Sequence, residues 1–169
     1  MTNTLTVKQL EELLQIQKDF DSRITTLNLG DSKIAYIVEF FEWFNTLETF
    51  KNWKKTPGKP LDVQLDELAD MLAFGLSIAN QTNVNTKDLE QSLYLVEERK
   101  LDFNSHELVY GIMDDFSNFD INGDDAMLLP FNFASNLYSI DQLIDAYKKK
   151  MKRNHERQDG KADRDKGYV

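Results

Sequence analysis

Cysteine is absent from the 169-residue chain. That removes disulfides, thiol nucleophiles and cysteine-ligated zinc together, and it fits a reducing compartment. Catalysis, if any, falls to oxygen and nitrogen groups. Histidine is nearly as scarce: His106 and His155 are the only two, and neither has neighbours arranged as metal ligands or as a nucleophile triad. Gly-rich phosphate loops and G-x-S-x-G elbows are missing. No segment approaches the roughly 20 apolar residues that span a bilayer. The opening MTNTLTVKQLEELLQ is an amphipathic pattern without the basic start and apolar run of a signal peptide. A soluble, cytoplasmic chain with no membrane partner is therefore expected. Basic charge is also short, with 20 Lys and Arg against 29 Asp and Glu and a formal net charge of -9. That argues against direct nucleic-acid binding, because phosphate backbones demand a basic surface.

What the chain does have is helical spacing of apolar residues through most of its length, with little strand alternation. An all-α single domain over residues 1–169 is expected, a length that buries a real core. The spacing predicts a first helix from about Val7 to Asp21, with Leu10, Leu13, Leu14 and Phe20 inward. A second runs from Asp31, as N-cap, to about Phe50, with Ile34, Ile37, Val38, Phe41 and Phe44 on one side. Two of the three prolines lie in Thr56-Pro57-Gly58-Lys59-Pro60 and end it. A third helix spans Leu61 to Gln81, packing Leu65, Leu68, Leu72, Leu76 and Ala79. Further helices are expected over Lys87 to Lys100 and Ser105 to Phe119. Asp120 to Tyr138 has no steady period and reads as loop with at most short elements. A last helix starts near Ser139 and carries Leu143, Ile144 and Tyr147 inward. From Lys148 the composition is that of a charged, flexible tail. Asp120-x-Asn122-x-Asp124 begins like a calcium loop, but Asp125 and Phe131 stand where that loop needs glycine and glutamate.

Two acidic pairs carry the chemistry. Glu39-x-x-Glu42 lies on the second helix and Glu67-x-x-Asp70 on the third, and each i, i+3 spacing puts both carboxylates on one face. A short turn favours antiparallel packing, which lets all four converge. Like charges so placed repel unless a hard cation joins them, and oxygen-only donors suit magnesium and phosphoanhydride hydrolysis. Either pair alone reads more readily as solvated helix surface than as a ligand pair. The setting among Phe40, Phe41, Trp43 and Phe44 makes an uncompensated carboxylate costly.

Glu-x-x-Glu followed by Glu-x-x-Asp resembles the signature of the all-α nucleoside triphosphate pyrophosphatases, which include dimeric dUTPases and MazG-type enzymes. NTLETFKNWKK between the pairs resembles the basic-aromatic segment of the dUTPase branch. ELADMLAFGLSIAN, ending in Ser77-Ile78-Ala79-Asn80, resembles its helix, and AYKKKMKRNHERQDGKADRDKGY resembles its C-terminal motif. The likeness covers Val7 to Asn80 and Ile140 to Tyr168, nearest to dUTPases of phages from Gram-positive hosts. It implies a core of 7–81 and 139–158, a variable insert over about 84–136, and a flexible tail over about 148–169.

That resemblance also implies roles. Glu39, Glu42, Glu67 and Asp70 would hold two or three magnesium ions, with Glu39 orienting or deprotonating the attacking water. Lys51 and Lys54 would reach phosphate oxygens, and Asn45 sugar or phosphate. Gln17 and Asp21 would lie near uracil, with Trp53 and Phe74 as stacking candidates. Tyr147, Lys150, Asn154, Arg157 and Gln158 would close over the nucleotide. The spacer of residues 160–166 before Gly167-Tyr168 is longer than the pattern. The expected reaction is dUTP, and also dUDP, to dUMP in a homodimer, limiting uracil incorporation into DNA. A MazG-like enzyme with other nucleotide specificity is the alternative. Phage enzymes of this type also resemble proteins that bind a pathogenicity-island master repressor. The insert aromatics Phe116, Phe119, Phe131 and Phe133 are the candidate surface for that partner.

Overall fold

The computed structural model describes residues 4–86, 89–118 and 121–167, and among these it contains helices and no strand. The described helices are α1 Val7–Asp21, α2 Leu29–Leu47, α3 Leu61–Gln81, α4 Glu90–Glu98, α5 His106–Ser117, α6 Gly123–Leu137 and α7 Ile140–Gln158, followed by a short 3-10 turn at Arg164–Lys166. The all-α expectation holds. So do the bounds of α1 and α3.

Local chemistry explains the starts. Thr6 and Gln9 form a reciprocal capping box at α1. Ser105, Asn122 and Ser139 each accept a backbone N–H in the first turn of α5, α6 and α7. α3 is the central element, packed against α1, α2, α6 and α7. From Leu68 to Gln81 it has no exposed residue. Its contact with α6 is backbone-close at Gly75, where an added Cβ would stand 2.2 Å from the Ala126 carbonyl oxygen. An aromatic nest closes the other side of the core: Trp43 stacks on Phe133 with centroids 4.7 Å apart, and Phe40 meets Phe116 edge-on at 4.9 Å.

Four expectations need correction. α2 starts three residues earlier than expected, capped by Asn28 in place of Asp31, and ends at Leu47 because Glu48 takes a left-handed backbone (φ 56°). Its inward stripe is Tyr36, Phe40 and Trp43, while Ile34, Val38 and Phe41 are exposed. Both sets follow i, i+4, i+7, so spacing alone does not choose between them. Next, the segment expected to be loop is largely α6. It is apolar almost all round, with Pro130 in its interior, and so shows no amphipathic period. Third, α7 continues through the charged run to Gln158. Met151 extends the buried stripe of Leu143, Ile144 and Tyr147 by one further turn, and ion pairs Lys148–Glu12 and Arg23–Asp159 tie that run to α1 and its following turn. Finally, Phe116, Phe131 and Phe133 are core residues, not partner surface; Phe116 and Phe133 cover the aromatic side chains of α2. Phe119, Lys87 and Tyr168 lie outside the described residues.

No described helix is long and apolar enough to cross a membrane.

Candidate active site

The antiparallel pair α2 and α3 brings Glu39, Glu67 and Asp70 together, each offering an oxygen within 4.8 Å of the others. Glu42 lies outside this trio and is exposed. Its charge is felt at Glu39 and Glu67. Burial is the main cause that raises Glu39, to about 7, followed by repulsion from Asp70, Glu42 and Glu67. Glu67 and Asp70 are also raised, again chiefly by burial. Glu39 Oε2 is buried without a hydrogen-bond partner.

Lys150 reaches the cluster from α7. Its ammonium donates to Asp70 and to Asp66, both at 2.7 Å, and its charge opposes the rise at all three carboxylates of the trio. Asp66 was missed in the sequence reading, although its i, i+4 relation to Asp70 put it on the same face. The donor set fits a hard divalent cation: carboxylate oxygens only, mutually repelling, one buried and unsatisfied. Glu39, Glu67 and Asp70 could hold such an ion.

A second group surrounds the end of α1. The Tyr147 hydroxyl donates to Gln17 Oε1 at 3.0 Å, and Gln17 Nε2 donates to Asp21 Oδ1 at 2.8 Å. All three side chains are buried. Burial raises the Asp21 carboxyl, and Ser77 and Gln17 oppose the rise. Ser77 is near without completing a hydrogen bond to Asp21 Oδ2, which has no partner. Ser77 is another residue that the spacing did not reveal. Asn80, at the end of the same motif, donates to the Leu14 carbonyl at 3.0 Å and ties α3 to α1. Beside this network Asn154, Arg157 and Gln158 line a cavity of about 440 Å³ together with Phe20, Arg23 and Ile24. Arg157 donates to Asn154 Oδ1 at 2.9 Å and to Asp163.

The remaining expected residues are placed less tightly. Lys51 and Lys54 both pair with the buried Glu48, Trp53 is 71% exposed, Asn45 is exposed and Phe74 is half-buried. A larger cavity of about 790 Å³ lies between the insert and Tyr36 of α2, lined by none of the expected site residues.

The fold and the trio between two antiparallel helices define an all-α protein with an oxygen-only donor set, the kind of site that suits metal-assisted phosphoanhydride hydrolysis. The family comparison narrows this: the model of the dUTPase family matches residues 9–161. The chain belongs to that all-α dUTPase family, and its activity is that of a dUTP diphosphatase. No curated protein matches the chain.

Proposed function

We propose that the chain hydrolyses dUTP to dUMP and pyrophosphate with magnesium held by Glu39, Glu67 and Asp70 and with Glu42 at the rim, and that it accepts dUDP as well. The observation that carries this is the trio itself, within 4.8 Å, with an unsatisfied buried oxygen on Glu39. Bound magnesium supplies charge neutralisation for the triphosphate and for the developing transition state. Glu39, whose Oε2 is buried without a hydrogen-bond partner, takes the proton of the attacking water. In the proposed step the water oxygen bonds to the β-phosphorus, the bridging bond to the α-phosphate breaks, and dUMP leaves. Lys150, Asn154 and Arg157 hold the polyphosphate and exclude water, and residues 148–167 tighten over the nucleotide. Gln17, Asp21 and Tyr147 form the polar floor for uracil. Magnesium in two or three sites and removal of dUTP ahead of DNA synthesis complete the reading.

Pyrophosphate release from dUTP, dCTP, dTTP and UTP, with magnesium and with excess chelator, tests it. Selective, magnesium-dependent turnover of dUTP is expected. Equal turnover of all four would transfer the chain to the MazG-like alternative, and turnover in chelator would remove the metal.

The exposed stripe of Ile34, Val38 and Phe41 on α2 supports a homodimer, since one contiguous apolar stripe facing water is the usual mark of a covered surface. For a repressor partner, which the likeness to phage enzymes implies, the insert offers Tyr94 and Tyr110, 64% and 69% exposed.

A further inference from the structure

The carboxylate cluster is served by a cation of the chain itself. Lys150, on α7, donates to Asp70 Oδ2 and to Asp66 Oδ2, both at 2.7 Å. Asp66 and Asp70 stand one turn apart on α3, so a single ammonium bridges them. The lysine is fixed at its base: its α7 neighbours Tyr147 and Met151 are buried, and α7 packs against α3. Its side chain is 10% exposed, against 24% for Asp70 and 57% for Asp66. Moving the ammonium from one carboxylate to the other therefore takes rotation of one side chain and no shift of a helix.

That ammonium is an incomplete substitute for a metal ion. Within the trio it donates to Asp70, and Glu39 Oε2 stays without a partner. A divalent cation seated among Glu39, Glu67 and Asp70, whose oxygens lie within 4.8 Å of one another, would serve all three, whereas a lysine is a single charge held from one side. The two cations also exclude each other. Magnesium on the Asp70 oxygen that Lys150 uses, at its usual length of about 2.1 Å, would stand within about 5 Å of the ammonium. At that range a divalent and a monovalent cation repel strongly in a half-buried site. Asp66 gives the ammonium a place to go: it lies outside the trio, faces solvent and already accepts from Lys150.

We propose that Lys150 is a tethered counter-cation of the metal site: it holds Asp70 in the metal-free chain and withdraws to Asp66 when a divalent cation takes Asp70. The proposal rests on the metal reading above. Because the lysine is part of the fold, its effective concentration at Asp70 is set by the tether, and an arriving metal ion has to displace it. The same contact that offsets repulsion in the metal-free cluster thus weakens metal binding. Withdrawal leaves the ammonium available to the polyphosphate, its role in that reading.

Manganese suits the same oxygen ligands, and its free concentration is read by electron spin resonance. It is titrated at pH 8 into wild type, Lys150→Met and Lys148→Met, and all three are melted in chelator and in saturating manganese. Lys148→Met removes the same charge from the same helix at a residue that pairs with Glu12 instead. We expect Lys150→Met to bind manganese about tenfold more tightly than wild type, and Lys148→Met to bind as wild type does. Lys150→Met should also melt below wild type in chelator, with the deficit gone in manganese. Equal or weaker binding by Lys150→Met overturns the proposal, as does an equal gain in Lys148→Met, which would mark bulk charge alone. A melting deficit that persists in manganese overturns it too, since that is the behaviour of a merely structural ion pair. Failure of both wild type and Lys150→Met to bind manganese overturns the metal reading beneath, a result distinct from any difference between the variants.

Discussion

Glu39 is held against its own charge by its surroundings. It sits beside three other carboxylates, with burial pushing its ionisation to about 7, while a carboxyl in the unfolded chain ionises near 4.5. Between about pH 4.5 and 7 the folded chain therefore binds the extra proton, and by linkage the metal-free protein loses stability as pH rises through that window. Glu67 and Asp70 shift in the same direction and steepen the trend. Thermal melts in chelator should show the melting temperature falling from pH 4.5 to 7, with a shallower fall in Glu39→Gln; a flat profile contradicts the buried cluster. Magnesium uptake below pH 7 should release protons, because the ligands bind the cation deprotonated. Of this site, Glu39, Glu67 and Asp70 were legible in the sequence because i, i+3 spacing is a property of one helix. Glu48 and Asp66 were not singled out, and Ser77 was read only as part of the motif that ends α3. The contacts of Glu48 with Lys51, Lys54 and Gly58 and the approach of Ser77 to Asp21 depend on turns and packing, which residue spacing does not encode.

Among the elements, α1 and α3 were legible because each has a single apolar face or a nearly continuous one, bounded by clear start and stop signals. α2 has two apolar stripes, and choosing the inward one needs the neighbours Phe103, Phe116 and Phe133, which lie far along the chain. α6 was hidden by its own burial, since a helix covered on all sides has no polar period to read. The contact between α3 and α6 yields a sharp prediction. Gly75→Ala forces a methyl to 2.2 Å from the Ala126 carbonyl oxygen, and neither backbone is free to retreat. Chemical denaturation should show a loss of about 1–3 kcal/mol, the usual cost of overpacking. Stability equal to wild type would mean that the two helices are not so close.

On the scale of the whole molecule, α3 and α2 carry both the carboxylates and the exposed stripe, so the site and the proposed dimer surface share a scaffold. Val38→Lys and Phe41→Glu place charge on residues 47% and 40% exposed, where the folded monomer tolerates it. Light scattering should give a dimer mass for wild type at micromolar concentration and a monomer mass for the double variant, with helicity unchanged. A wild-type monomer contradicts the dimer. α7 completes the architecture by bringing Tyr147 to the α1 network and Lys150 to the acidic cluster. The charged run beyond Lys148 is thus part of the site's frame for at least the turns that contain Met151.

The central claim is that three converging carboxylates make this chain a magnesium-dependent dUTP diphosphatase. Pyrophosphate release from dUTP, measured against free magnesium for wild type, Glu39→Gln and Asp70→Asn, tests it most directly. The account predicts saturable activation of wild type and a fall of about 10²–10⁴-fold in turnover for Glu39→Gln, the range of a lost general base. Asp70→Asn should also need more magnesium, with far-UV circular dichroism unchanged in both. Turnover near wild type in either variant, or activation indifferent to magnesium, would contradict it.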